Sequence, residues 1–144
     1  MYTVTDQVAA LKTAAFHLQP EGALVLDVFF PKWTSNPPPI GEEVLEHEWT
    51  PKSDPSKIVR QYIRRESADK IHQTTRSTFI YRIYEGGKLI QEETAPFQTS
   101  SYSYPHLRAL FMLAGLVVVE EYGSFDRMPL DNNSDQMIFV LRKQ

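Results

Sequence analysis

A small set of acidic, imidazole and aromatic side chains has the chemistry of a binding or catalytic site. A carboxylate and an imidazole can accept or orient a proton, whereas aromatic rings and phenols can line and orient an apolar acceptor. We predict that seven such residues bind a substrate: Asp27, Phe29, Phe30, Trp33, His47, Trp49 and Tyr81. No residue stands out as catalytic.

Each of these assignments has a structural alternative. His47 is either a general base or a solvated strand histidine. The aromatic residues between 49 and 104 either line an acceptor pocket or form the core of a curved sheet. Arginines such as Arg60 and Arg82 either bind an anionic acceptor or pair with Glu92 and Glu93 on neighbouring strands. The four histidines show no metal-ligand spacing, so no metal site is predicted.

The first four candidates belong to residues 23–30 and the positions just after them. This run reads ALVLDVFF and is apolar at nearly every position, which is typical of a strand covered on both faces of an α/β sheet. A buried carboxylate needs a partner or access to the open end of the strand. We therefore expect Asp27 and the aromatics that follow it at the carboxyl end of the strand, where open α/β sheets bind ligands.

The other elements alternate between helical and extended patterns. Residues 5–18 predict a helix that Thr3 or Thr5 caps, and residues 41–98 predict an antiparallel meander. The Gly86-Gly87 link favours a type I′ hairpin with Glu85 opposite Lys88, which would place Ile83 opposite Ile90 and Tyr81 opposite Glu92. A second helix at 105–114 precedes strands at 116–122 and 137–142.

Composition excludes several classes of function. A chain of 144 residues predicts a single domain, and a net charge of −3 provides no basic field for nucleic acid or an anionic membrane. The chain has no cysteine, so disulfide and thiolate metal sites are excluded. The amino-terminal residues lack the layout of a signal peptide, which predicts a cytoplasmic location.

Three stretches in this order resemble the carboxyl-terminal half of class I S-adenosylmethionine-dependent methyltransferases. Asp6–Phe30 resembles the helix, turn and fifth strand, and Leu107–Gly123 resembles the last helix and sixth strand. Gly123–Lys143 resembles the loop and seventh strand of a small-molecule subgroup. The resemblance implies half of a doubly wound, Rossmann-like sheet (1–33 and 105–144) with an antiparallel β insert (34–104). It also implies that 137–142 lies between 23–30 and 116–122, and that Asp27 lies near the substrate. The chemistry of the residue itself offers the alternative that its carboxylate caps a neighbouring backbone N–H.

The chain departs from the family where the methyl donor binds. The family uses a glycine-rich loop after its first strand, and the six glycines of this chain include no G-x-G. We expect the acceptor side of a methyltransferase that is inactive and binds no S-adenosylmethionine by itself, or a non-catalytic oligomerisation or ligand-binding module derived from that fold. The strand at 23–30 would have one bare edge, which predicts a homodimer or pairing with a missing amino-terminal half.

Overall fold

The computed structural model describes residues 3–29 and 37–144. Their elements are α1 (Val4–His17), β1 (Leu24–Phe29), β2 (Glu43–Trp49), β3 (Lys57–Asp69), β4 (Thr74–Glu85), β5 (Lys88–Ser100), α2 (Tyr104–Leu113), β6 (Leu116–Tyr122) and β7 (Gln136–Lys143). They form two compact units. The α/β unit holds the described residues of 1–35 together with 101–144, and the β unit holds those of 36–100.

The α/β unit contains a three-stranded sheet in the order β1-β7-β6. Strand β7 is antiparallel to both neighbours, with Leu26 opposite Phe139 and Val118 opposite Leu141. Strands β1 and β6 therefore run in the same direction and end at the same edge of the sheet. The predicted position of the last strand between the other two is confirmed.

Both helices of this unit pack on one face of its sheet. Capping defines their starts, because the hydroxyl oxygens of Thr3 and Ser103 accept from backbone N–H groups of α1 and α2. The buried cluster joins Ala15 of α1 to three side chains of α2 and to alternate residues of β7. Alternate residues of β1, namely Leu24, Leu26 and Val28, pack against the same cluster.

The prediction that the first strand is covered on both faces is wrong for the described chain. Burial along β1 alternates strictly, because Leu24, Leu26 and Val28 are half-buried and the residues between them are exposed. Val25 is 60% exposed and Phe29 is 74% exposed. Along β1, the described residues cover only the face that carries the helices, although Ile138 of the neighbouring strand β7, opposite Asp27 on the other face, is buried (4% exposed).

The β unit is a four-stranded antiparallel meander in the order β2-β3-β4-β5. The hairpin turn is confirmed, since Gly86 and Gly87 both have positive φ, 53° and 79°, and Glu85 lies opposite Lys88. The pairs predicted beyond the turn are wrong. A register shift between Ile83 and Tyr84 places Ile83 opposite Gln91 and Tyr81 opposite Glu93.

The two faces of this meander differ in chemistry. One face, here called the aromatic face, carries Trp49, Val59, Ile63, Phe79, Tyr81 and Phe97. The opposite face, here called the ion-pair face, carries Glu43, Glu48, Arg60, Tyr62, Arg82, Tyr84 and Glu92. This separation follows from the two-residue period of a strand.

Candidate functional site

A polar row crosses the aromatic face from β2 to β5. His47 lies opposite Gln61, Gln61 lies opposite Tyr81, and Tyr81 lies opposite Glu93. Directly opposed residues of an antiparallel sheet present their side chains on the same face. An imidazole, an amide, a phenol and a carboxylate are therefore aligned across four strands.

Apolar side chains border this polar row on both sides. On one side, the neighbouring row contains Trp49, Val59 and Ile83, and it ends on β5 with Gln91. On the other side, the rings of Phe79 and Phe97 stack with their centroids 4.5 Å apart, and the Phe79 ring lies 6.2 Å from that of Tyr81. A polar row with apolar borders suits a small molecule that carries hydrogen-bonding groups on an apolar skeleton.

The row is accessible to a ligand and its spacing suits one. His47 and Glu93 are exposed, while Gln61 and Tyr81 are half-buried. Neighbouring strands lie about 4.8 Å apart, so the His47 and Tyr81 backbones are separated by roughly 10 Å, the length of one or two linked rings. Gln91 holds the Glu93 carboxylate, because its side-chain amide donates to Oε1 at 2.6 Å.

Three of the seven predicted site residues share this face. They are His47, Trp49 and Tyr81. Asp27 and Phe29 belong to the α/β unit, where both are exposed on β1. Phe30 and Trp33 lie outside the described residues.

Gln61 and Glu93 complete the row, and sequence reasoning did not select either of them as a site residue. The hairpin register predicted from the glycine turn placed Glu92 opposite Tyr81. The shift near the turn replaces Glu92 with Glu93, and Glu92 then lies on the ion-pair face. A signal for this shift is the apolar pair Leu89-Ile90, which a strictly alternating strand with one polar face would not contain.

The Asp27 carboxylate forms no hydrogen bond or ion pair with another residue in the described ranges 3–29 and 37–144. It is exposed on the face of β1 that also carries Val25 and Phe29. The backbone cap left open by the sequence is therefore not formed with any described residue.

Two arginines of the ion-pair face, Arg60 and Arg82, are already engaged with carboxylates. Arg60 Nε donates to Glu48 Oε2 at 2.6 Å, and its guanidinium lies 4.9 Å from the centre of the Tyr84 ring. Arg82 pairs with Glu92 at 2.7 Å and with Glu43 at 2.8 Å. The hydrogen bonds that Arg82 donates to Glu92 and Glu43 raise the pKa of Arg82 above its usual range. This face therefore favours the strand-pairing alternative over an anion site.

Large apolar side chains are exposed near the carboxyl edge of the α/β sheet. Phe29 ends β1, and the loop after β6 exposes Phe125 (72%) and Met128 (61%). The same loop packs tightly at Gly123, where a Cβ would lie 2.1 Å from Ser134 Oγ. Hydrogen bonding to Glu120 raises the pKa of Tyr122 at the end of β6. Open α/β sheets bind ligands at this edge, so it is a second candidate surface.

Within residues 3–29 and 37–144, no group of three or more His, Asp or Glu side chains could hold a metal ion.

Solved structures share this fold. The CcbJ methyltransferase of Streptomyces caelestis matches 100% of this chain with a TM-score of 0.76 at 21% identity, and the match covers 56% of that protein. An S-adenosylmethionine-dependent methyltransferase of Clostridium acetobutylicum matches with a TM-score of 0.75 at 9% identity, covering 52% of its chain. CalS10, an amino pentose methyltransferase of Micromonospora echinaspora, matches with a TM-score of 0.68 at 17% identity, covering 53% of its chain.

The chain thus spans about half the length of the structures it matches. The expected fold, half of a methyltransferase sheet with an antiparallel insert, is confirmed. Neither the models of known protein families nor the curated protein sequences gave a match.

Proposed function

We propose that this chain is the acceptor-binding half of an S-adenosylmethionine-dependent small-molecule methyltransferase. The observation that carries the proposal is the polar row His47–Gln61–Tyr81–Glu93 on the aromatic face of a methyltransferase-like fold. The likeness to half of several methyltransferases supports the reaction class.

The acceptor that fits the row best is an amino sugar. Two of the matched structures are described as an amino pentose methyltransferase and a sugar N-methyltransferase. A sugar presents hydroxyl groups to His47, Gln61 and Tyr81, and its ring presents C–H groups to aromatic side chains. The carboxylate of Glu93 can pair with an amino group, which is cationic before it loses a proton.

The residues of this chain would position the acceptor. The donor, when bound by the complete protein, supplies an activated methyl group. Methyl transfer depends mainly on aligning the acceptor atom with that group, and alignment by fixed hydrogen bonds contributes several kcal/mol, up to about 7–11, to lowering the barrier. Because Glu93 would pair with the amino group, its carboxylate is the group of the row placed to accept the proton that this amino group releases, and His47, three strands away, would bind a hydroxyl group.

The glycines of this chain do not fit the methyl donor. At four of them, Gly41, Gly86, Gly87 and Gly115, an added Cβ would meet no atom within 4 Å, so none of these four lines a tight backbone pocket for the donor. Gly22 and Gly123 face atoms of their own chain, at 3.1 Å from Gln19 and 2.1 Å from Ser134. We therefore propose that the donor is held by another half of the protein, and no step through the donor is assigned to these residues.

Two titrations test whether this chain binds the acceptor while another half of the protein binds the donor. Calorimetry of the 144-residue chain with S-adenosylmethionine should give no micromolar binding. An amino sugar panel that includes amino pentoses should give binding that Tyr81→Phe weakens. Micromolar donor binding by the chain alone, or no amino sugar binding at all, would contradict the proposal.

A second candidate is a non-catalytic ligand-binding or oligomerisation module derived from the same fold. None of the six glycines lines a tight backbone pocket for the methyl donor, and this favours the non-catalytic module for the chain alone. The two candidates separate when the chain is combined with a donor-binding half. Methylated amino sugar, detected by mass spectrometry, supports the enzyme; sugar binding without methyl transfer supports the module.

The cytoplasm remains the proposed compartment, on the sequence argument given above. No helix in the described part of the chain is long and apolar enough to cross a membrane.

A further inference from the structure

A groove runs between one flank of α2 and the outer edge of β6 in the α/β unit. Its volume is about 590 Å³, which lies in the usual range of ligand pockets. This α2–β6 groove is lined by one flank of the helix and by the first residues of the strand, namely Arg108, Ala109, Met112, Leu116, Val117 and Val118. None of these residues belongs to the polar row of the β unit, so the groove is a separate candidate site.

The strand wall of the groove is an open edge of the sheet. Strand β6 pairs with β7 alone among the described strands, and this pairing is regular from Leu116 to Val118. The register shifts between Val118 and Glu120, which ends the regular part of the edge. Over Leu116–Val118, an extended segment can therefore bond to the outer backbone groups of β6.

The helix wall is apolar around a small residue. Met112 is 71% exposed, whereas Leu110 and Phe111 on the other face of α2 are buried in the core. Ala109, one turn before Met112, has only a methyl group and leaves room beside the strand edge. An exposed apolar surface next to an open strand edge is typical of a site that binds another polypeptide.

Arg108 is the cation of the groove and keeps N–H donors for an anion. Its Nη1 lies 3.6 Å from Glu121 Oε2, a long contact, and its side chain is 46% exposed. The same Glu121 carboxylate accepts from the Tyr104 hydroxyl at 3.0 Å, so it has a second partner. A guanidinium carries several donors, and Arg82 of this chain pairs with two carboxylates at 2.7 and 2.8 Å. Arg108 can therefore bind a second carboxylate beside Glu121.

These features together favour a peptide over an aliphatic acid. An aliphatic acid would contact Met112 and Arg108, but it would cover the backbone groups of β6 without bonding to them, which is unfavourable. An extended peptide bonds to the edge, packs its side chains on the helix wall and supplies a carboxylate at its carboxyl end. The edge at Leu116–Val118 spans roughly 10 Å, the length of three extended residues.

We propose that the α2–β6 groove binds the carboxyl-terminal residues of a partner protein, as a strand added beside Leu116–Val118 with its terminal carboxylate on Arg108. The chain turns from α2 into β6 at Gly115, so Met112 lies beside the start of the strand and Arg108 lies further along it. The added strand therefore runs parallel to β6. The groove and the polar row belong to different units, so a failed acceptor assay leaves this inference standing.

Fluorescence anisotropy with a labelled peptide tests the proposal. The probe is fluorescein-Gly-Gly-Val-Leu-Val with a free carboxyl end, titrated with the 144-residue chain. It should bind saturably, and its amide-terminated form should bind at least about fivefold more weakly, because the charge-assisted bonds to Arg108 are lost. A form that is N-methylated on its last three residues should also bind more weakly, because it cannot donate hydrogen bonds to the strand edge.

Variants locate the contact. Arg108→Gln should abolish the preference for the free carboxyl end, and Ala109→Trp should weaken the binding of both forms, because the indole would fill the groove. The matched control is Arg142→Gln on β7, where the arginine side chain is 51% exposed and lies outside the groove. It should change neither result, and the circular dichroism of all three variants reports whether they fold.

Four results would overturn the proposal. The first is no saturable binding of the free-acid peptide, and the second is equal binding of the acid and amide forms. The third is a preference for the acid form that survives Arg108→Gln. The fourth is decanoate binding that Ala109→Trp weakens while unlabelled Gly-Gly-Val-Leu-Val fails to compete, which would assign the groove to an aliphatic acid instead.

Discussion

Tyr81 and Tyr84 are the same residue type on one strand, yet they lie on opposite faces of the β unit. Tyr81 belongs to the polar row, whereas Tyr84 lies under the Arg60 guanidinium, 4.9 Å away. On the proposed function, Tyr81→Phe in the chain combined with a donor-binding half should raise KM for an amino sugar about fivefold, since one hydrogen bond contributes about 1 kcal/mol. The value of kcat should change little, because the hydroxyl binds substrate and transition state alike.

Tyr84→Phe is the matched control for this prediction, because it removes the same atom from the other face. Steady-state kinetics of both variants would show whether the Tyr81 hydroxyl contributes to acceptor binding. An equal rise in KM for the two variants would argue that the polar row is not the acceptor site.

Gly123 and Ser124 are neighbours for which opposite effects on stability are expected. A Cβ on Gly123 would lie 2.1 Å from Ser134 Oγ and 2.9 Å from the Pro129 carbonyl oxygen. Gly123→Ala should therefore lower the free energy of unfolding by about 1–3 kcal/mol. Ser124 Oγ is buried without a hydrogen-bond partner among the described residues, so Ser124→Ala should be neutral or stabilising.

Urea unfolding followed by circular dichroism measures both effects. A Gly123→Ala variant as stable as the parent would show that the loop after β6 can adjust without cost.

At the residue scale, sequence reasoning selected site residues by type and by expected strand, but their partners depended on register. His47 and Tyr81 were selected, and both lie on the aromatic face because their strands follow the expected order. Glu93 was not selected, because its position opposite Tyr81 results from the register shift between Ile83 and Tyr84. A one-residue shift exchanges the faces of every later side chain, and local pattern alone does not specify it.

At the element scale, Arg82 links its own strand to the other three strands of the meander. It lies on β4, bonds Glu43 of β2 and Glu92 of β5, and lies 4.9 Å from the centre of the Tyr62 ring of β3. Its side chain is 23% exposed, so both ion pairs are partly shielded from water. Arg82→Gln should lower stability by about 1–2 kcal/mol, since it removes the ion pair of Glu92 and leaves Glu43 with only the longer contact to Arg64 at 3.5 Å.

Arg76→Gln is the control on the same strand, because Arg76 is exposed and forms no ion pair with another described residue. Thermal unfolding should show a lower Tm for the Arg82 variant only. Equal Tm values for the two variants would contradict a role of Arg82 in joining the strands.

The turn before β3 should make stability depend on acid. Ser56 and Lys57 hydrogen-bond the Asp54 carboxylate and lower its pKa from 3.8 to about 2. The folded-state pKa lies below the unfolded value, so this contribution is present above pH 3.8 and is lost as the pH falls towards 2. Asp54→Asn should flatten the stability curve in this window, whereas Asp126→Asn, at an exposed position, should not. Urea midpoints at several pH values would check this, and parallel curves for Asp54→Asn and the parent would refute it.

The sequence also led to a wrong prediction for the burial of a whole element, β1. The composition of residues 23–30 correctly indicated a strand of an α/β sheet that is apolar on both faces. The composition of this run does not indicate whether the described residues also provide a layer that covers the second face of β1. Val25 and Phe29 are exposed because both helices lie on the other face, and this is a property of topology rather than of local sequence.

At the scale of the whole molecule, the main hydrophobic core belongs to the α/β unit alone. Every residue of the buried cluster, from Ala15 to Leu141, lies in 1–35 or 101–144. The β unit is a single described sheet, and a sheet needs a second layer against which to bury its apolar face. The two units should therefore differ in their ability to fold when separated.

Replacing residues 37–100 with a flexible linker of about twelve Gly and Ser residues should leave an α/β unit that unfolds cooperatively. The isolated segment 37–100 should show little protection from hydrogen exchange, because a lone sheet of this size is marginal in water. Calorimetry of the first piece and exchange of the second would check both expectations. A cooperative transition in the isolated segment would mean that its sheet forms a sufficient core alone, for example by stacking two aromatic faces, and this would also make the polar row a dimer contact instead of an acceptor site.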